Sequence, residues 1–165
     1  MTAMEIGFDR VPPQNIEAEQ AVLGSILLEA DALVTAMERL RPEDFYQPVH
    51  RMIYETMIEL GEAGQPIDLV TLTAALQDKQ RLEEAGGVDY LAKLLGIVPT
   101  AANVDYYARI VEEKAILRRL IRTATEIVQE GYEGAEDVRR LLNEAEQRIL
   151  EISSRRTDSG FVSIR

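Results

Sequence analysis

From Pro99 to Gly134 the chain reads PTAANVDYYARIVEEKAILRRLIRTATEIVQEGYEG, and between Thr100 and Gly131 no glycine or proline interrupts it. A helix starting at Thr100 or Asn103 can therefore run for roughly 28 residues, or ~42 Å at 1.5 Å per residue. Gly131 and Gly134 bracket a short turn. The next segment, Ala135 to Ser153, carries Val138, Leu141, Leu142, Ala145, Ile149 and Ile152 at helical spacing, which forms one apolar stripe. Two long helices joined by a short turn make an antiparallel hairpin. The first of them offers Val104, Tyr107, Val111, Leu117, Leu120, Ile121, Ala124, Ile127 and Val128, more than one narrow partner stripe covers. Either the hairpin packs on the rest of the chain, or it meets another chain. Pairing with its own copy would give a four-helix bundle, and the surplus around Val111, Leu117 and Leu120 makes self-association the expectation, with Leu141 and Ile149 as further candidate contacts.

Outward from the hairpin, residues 15–99 read as a globular bundle of about five short helices. Asn15 is placed to cap the first, with Glu17 and Glu19 in its first turn, where the helix dipole favours acids, and Val22, Leu23, Ile26 and Leu27 on one face. Asp31 is placed to cap a second helix that Pro42 stops. Val49, Met52, Ile53, Met57 and Leu60 mark a third, Asp68 starts a fourth, and Gly86-Gly87 precedes a last one with Val88, Leu91, Leu94 and Leu95. No alternating strand pattern of useful length appears. Residues 1–14, with Pro12-Pro13, read as a loose arm. Residues 154–165, polar and Gly/Ser-rich until Phe161, read as the start of a linker. The fold class is all-α: a helical head, then a helical hairpin.

Composition narrows the function. The 165 residues contain no cysteine and one histidine, His50, which excludes disulfides and thiolate metal sites and makes a histidine-based catalytic pair or zinc cluster untenable. No apolar run approaches the ~20 residues of a membrane span. The start lacks a secretion-signal pattern, so a cytoplasmic protein is expected. The net charge is -11, of which residues 1–100 hold -10 and residues 101–165 hold -1. An acidic front half repels phosphate backbones, so it is a poor nucleic-acid reader. Gly86-Gly87 is not followed by Lys-Ser/Thr and is no phosphate loop. Glu83-Glu84 and Glu112-Glu113 diverge by about 100° on a helix and do not converge on a substrate. His50 has Gln47 where a helical Glu-x-x-His metal ligand would need Glu, and reads as a surface or capping histidine. Catalytic and metal-ligating residues are therefore expected to be absent. Lys114, Arg118 and Arg122, at i, i+4 and i+8, form one basic stripe, a candidate contact for an acidic partner or DNA.

Five separated motifs then stand in order: PPQNIEAEQAVLGS over 12–25, PEDFY over 42–46, DLVT over 68–71, GGVDY over 86–90 and VPTAANVDYYARI over 98–110. Together they resemble the N-terminal domain of the DnaB-type bacterial replicative DNA helicases, in their Bacillus-like branch. The resemblance covers about residues 10–155 and implies a non-catalytic collar domain. In that family the hairpins pair between subunits and six copies form a ring whose collar is a trimer of dimers. The C-terminal helicase-binding domain of primase docks on the collar, and a linker leads to a RecA-like motor with ATP, magnesium and most of the DNA contacts. The implied setting is the cytoplasmic replication fork, with the primase domain and a helicase loader as partners. The positions matching the family's primase contact are Tyr90, Ile121 and Ile127. Two rival readings, a helical DNA-binding module and a carboxylate enzyme, lack the basic head and the converging acids they require.

Overall fold

A computed structural model describes residues 10–134 and 136–164, with side chains to Ser154. The described residues form helices only: α1 (Ile16–Leu28), α2 (Ala32–Met37), a 3₁₀ turn over Pro42–Asp44, α3 (Pro48–Glu62), α4 (Leu69–Asp78), α5 (Gly87–Leu95), α6 (Val104–Glu133) and α7 (Val138–Ile164). They fall into two compact units, residues 15–115, and residues 116–165 with residues 1–14. Of the arm expected over 1–14, residues 1–9 lie outside the described residues, and 10–14 are not helical.

The head unit is built by local signals the sequence carries. Asn15 Oδ1 accepts the Ala18 N–H at 2.9 Å and starts α1. At α4, Asp68 Oδ1 accepts the Thr71 N–H while the Thr71 hydroxyl oxygen accepts the Asp68 N–H, both at 2.9 Å, a reciprocal cap. Asp31 precedes α2 but makes no side-chain cap, and α2 ends at Met37, before Pro42, which instead opens the 3₁₀ turn. The core gathers Leu23, Ile26, Phe45, Ile53, Tyr54, Met57, Leu72, Leu76, Leu91 and Leu94, all fully buried. Helix α1 lies against α5 at Gly24, where an added Cβ would collide with the Leu94 carbonyl oxygen, so only glycine permits the approach. Polar residues enter the core with their bonds made: the Ser25 and Thr56 hydroxyls donate to the carbonyls of Ala21 (2.7 Å) and Met52 (2.8 Å), and the Tyr54 hydroxyl donates to the Leu40 carbonyl (3.0 Å).

The sequence places the boundary between head and hairpin at Pro99; the compact units part at Ala115, inside α6. The reason is packing. Val104, Ala108, Val111 and Ala115, one face of the first turns of α6, are buried, and the first three join the head core. Arg39 secures the same turns through Asp105 (2.8 Å) and Glu112 (3.3 Å). The Asp105 carboxyl is held below its ordinary value, first by the hydrogen bond from Arg39 and also by the charges of Arg39 and Arg109.

In the hairpin unit, the turn at Gly134 separates α6 from α7, and Asp137 Oδ1 accepts the Arg140 N–H at 3.2 Å. Arg148 of α7 reaches Glu130 (2.6 Å) and Glu126 (3.5 Å) on α6, which identifies the two as antiparallel neighbours. Thr123 and Ile152 are buried. Helix α7 runs to Ile164, past Ser153, where a linker is expected. The Ser, Asp and Gly of 153–160 are each only about 0.5–1 kcal/mol poorer than Ala in a helix. No proline intervenes, and extending a nucleated helix is far easier than starting one.

Candidate functional site

Two features stand out. The first is in the head and centres on a buried acid. Glu19 on α1 is 1% exposed and His50 on α3 is 2% exposed. The Glu19 carboxylate accepts the backbone N–H of Tyr46 at 2.7 Å and of Gln47 at 3.3 Å, and it meets His50 Nδ1 at 2.8 Å. Gln47 is the N-cap of α3 but gives no side-chain cap, so a carboxylate from another helix occupies that end, where the helix dipole favours negative charge. The other nitrogen of His50, Nε2, lies 2.6 Å from the Tyr90 hydroxyl, and Gln20 Nε2 donates to the same hydroxyl at 3.1 Å. The rings of His50 and Tyr90 lie nearly parallel, with 9° between their planes and centroids 6.0 Å apart, end to end along the Nε2–hydroxyl contact, and Phe45 meets His50 edge-on. His50 is thus a buried connector, not the surface or capping histidine expected from the sequence. Tyr90 is half-buried, and its hydroxyl is engaged by His50 and Gln20.

The signal that could have found this network lies in the periodicity. Glu19 shares its helical face with Val22, Leu23 and Ile26, and His50 shares its own with Ile53, Tyr54 and Met57. A charged residue in register with an apolar stripe is a buried residue in need of a partner.

The second feature is the uncovered apolar surface of the hairpin unit. Leu117, Leu120, Ile121 and Val128 on α6 are 42%, 39%, 50% and 56% exposed. On α7, Val138, Leu142, Ile149 and Leu150 are exposed, while Leu141 is half-buried. Ile127 is half-buried, on a different side of α6 from Ile121. Val111 departs from the expectation: it is 2% exposed within the head core and is closed to a second chain. The basic stripe is also altered. Arg122 is exposed and Lys114 half-buried, but Arg118 donates to the Pro13 carbonyl at 2.7 Å and so is not a free cation of a continuous stripe. Among the described residues no three His, Cys, Asp or Glu side chains sit together as a metal site would require, and no helix is long and apolar enough to cross a membrane.

A family model for the DnaB-like helicase N-terminal domain matches residues 11–113, more than half of the chain. The chain belongs to this family. It is 55% identical over 157 residues to the replicative DNA helicase DnaC of Bacillus subtilis, covering 95% of this chain and 35% of that protein. It is 53% identical over 161 residues to the replicative DNA helicase DnaB of Geobacillus stearothermophilus, covering 98% and 36%. The chain therefore spans about a third of the length of these relatives. In structure it is similar to the N-terminal domain of DnaB helicase from Mycobacterium tuberculosis, with a TM-score of 0.81 and 46% identity over 86% of this chain and 99% of that one. It is also similar to a DnaB-like replicative helicase whose structure was described with its interactions with primase, with a TM-score of 0.69 and 31% identity over 84% of this chain and 31% of that one. The all-helical fold is thus that of a DnaB-like N-terminal domain, and the branch indicated by the motifs holds. Within this DnaB-like domain Tyr90 is tied into the buried network of the head, while Ile121 is among the most exposed apolar residues of α6.

Proposed function

We propose that this chain is the non-catalytic collar of a replicative DNA helicase, a domain that pairs with copies of itself during ring assembly and receives the helicase-binding domain of primase. The observation that carries the reading is the row Leu117, Leu120, Ile121 and Val128, apolar and uncovered on the hairpin unit. Soluble monomers rarely leave large contiguous apolar surface in water, and faces of this kind mark partner interfaces. The primase role is supported by similarity to the helicase described with its primase interactions. Ile121 and Ile127 on the hairpin and Tyr90 on the head are its proposed contacts, and ring assembly draws on Leu117, Leu120, Leu141 and Ile149. ATP-driven unwinding, with its ATP and magnesium sites, belongs to the remaining two thirds of such proteins. This domain needs no cofactor of its own, and the parent acts in the cytoplasm at the replication fork.

Sedimentation equilibrium tests the self-association. The unaltered chain should form dimers or larger species, and Leu117→Asp or Leu120→Asp should shift them toward monomer. A strict monomer at high concentration, or no shift in both variants, refutes it. Titration of the primase domain against Tyr90→Ala, Ile121→Ala and Ile127→Ala tests the docking. Loss of a buried anchor should weaken binding by about 1–4 kcal/mol, roughly five- to a thousandfold. Binding within about twofold of the parent for all three folded variants removes these positions from the site.

A further inference from the structure

The hydrogen-bond directions around Tyr90 follow from the donors and acceptors present. A carboxylate only accepts. Glu19 already accepts the N–H groups of Tyr46 and Gln47, so its 2.8 Å contact with His50 requires the proton on Nδ1. Gln20 Nε2 only donates, so the Tyr90 oxygen accepts from it at 3.1 Å. One proton remains, that of the Tyr90 hydroxyl. Given to a bare His50 Nε2 at 2.6 Å, it leaves every donor in the chain of contacts with an acceptor. The ring itself is held at one further place. Gly86, at φ +99°, lies so close that an added Cβ would come within 2.7 Å of Tyr90 Cβ.

We propose that Glu19 and His50 are positioning residues that hold Tyr90 with its proton turned inward, so that the head offers its partner a fixed ring and a hydrogen-bond acceptor, never a donor. The group on primase that meets the Tyr90 oxygen is then an N–H or O–H donor. This rests on the reading of Tyr90 as a primase contact. It deepens that reading by stating the chemistry the contact demands: a carboxylate or carbonyl placed against this oxygen would be rejected. A ring already held at its hydroxyl and against Gly86 also gives up little rotamer freedom on binding.

The chain has a single histidine, so a long-range ¹H–¹⁵N spectrum of its imidazole reports His50 alone. In the unaltered chain the proton should reside on Nδ1 with Nε2 bare. Tyr90→Phe should move the Nε2 resonance, and Glu19→Gln should release the tautomer preference. A proton on Nε2, alone or together with one on Nδ1, overturns the inward-turned hydroxyl, a result that a merely structural histidine would be as free to give. Titration with the primase helicase-binding domain supplies the second arm. Tyr90→Phe keeps the ring and removes the oxygen, and should bind about 2- to 10-fold more weakly, the span of one net hydrogen bond. Tyr90→Ala should bind more weakly still. If Phe binds as the parent does while Ala does not, Tyr90 docks by its ring alone and the acceptor is refuted, with docking intact. If Ala also binds as the parent does, Tyr90 is no contact, and the docking reading and this inference fall together at that residue. Should Glu19→Gln fail to fold, the tautomer of the unaltered chain and the Phe variant still decide.

Discussion

Replacing Glu19 with Ala should be among the most damaging single changes in the head, although the sequence presents Glu19 and Glu17 as equivalent acids of one helical turn. Glu19 is 1% exposed and accepts three hydrogen bonds, at 2.7, 2.8 and 3.3 Å. Its removal strands the N–H groups of Tyr46 and Gln47 and the Nδ1 proton of His50. A buried donor left unsatisfied costs about 1–3 kcal/mol, and the 3.3 Å bond weighs least. The expected loss is therefore about 3–5 kcal/mol, a large part of the 5–15 kcal/mol typical of a folded protein. For a chain of 165 residues that corresponds to a fall in Tm on the order of 10 °C. Glu17 is exposed, and Glu17→Ala should stay within about 0.5 kcal/mol. Urea unfolding followed by near-ultraviolet circular dichroism is a suitable assay. The chain has no tryptophan, and of its six tyrosines all but Tyr132 lie in the head unit. A loss below about 1 kcal/mol for Glu19→Ala, or equal losses for the two variants, refutes the claim that this carboxylate organises the start of α3.

Three further outcomes are expected. Val111→Ala should lower folding stability by about 2 kcal/mol, because it empties space in the head core, whereas Leu120→Ala, at a position 39% exposed, should lower it by less than about 1 kcal/mol; urea midpoints at low protein concentration compare them. Asp105, with its carboxyl held below the ordinary value by Arg39, contributes stability that is present above about pH 3.9 and is lost as the pH falls through the lower folded-state value. Asp105→Asn should therefore differ from the parent at pH 7, by under about 1 kcal/mol for so exposed a pair, and the difference should vanish in acid; a difference that widens below pH 4 contradicts this. Finally, amide hydrogen exchange along residues 116–153 should slow as protein concentration rises, while exchange in the core of α1 and α3 should not.

The local rules of helix formation made most of the fold legible. Asn15 and Asp68 cap the helices they precede because a cap is decided within three residues. What escaped the sequence reading is non-local. Glu19 is 27 residues from Tyr46, and Gln20 is 70 from Tyr90, so no spacing rule joins them, and the dipole of its own helix accounts for Glu19 without a partner. Val111 and Leu117 stand alike in the apolar pattern of α6, but only the folded head shows that the first is covered by its own chain and the second is not. The stretch after Ser153 reads as linker because its composition is polar, and composition is a weak guide once a helix is already running into it.

The two units reach their stability by different routes, and this difference supports the proposed division of labour. The head closes its core and satisfies its buried polar groups internally, so it needs nothing from a partner. Among its described residues the hairpin unit buries little beyond Thr123 and Ile152, and the polar links Arg148 with Glu126 and Glu130 and Arg140 with Glu144 are surface ion pairs worth little each. Its first helix nonetheless begins in turns fixed by the head core, so the costly nucleation step is already made when the chain passes Ala115. A helix held in this way can keep Leu117, Leu120, Ile121 and Val128 in a rigid row without burying them. The row is then available to a second chain as a preorganised surface, with the ordering entropy largely met by folding rather than by association.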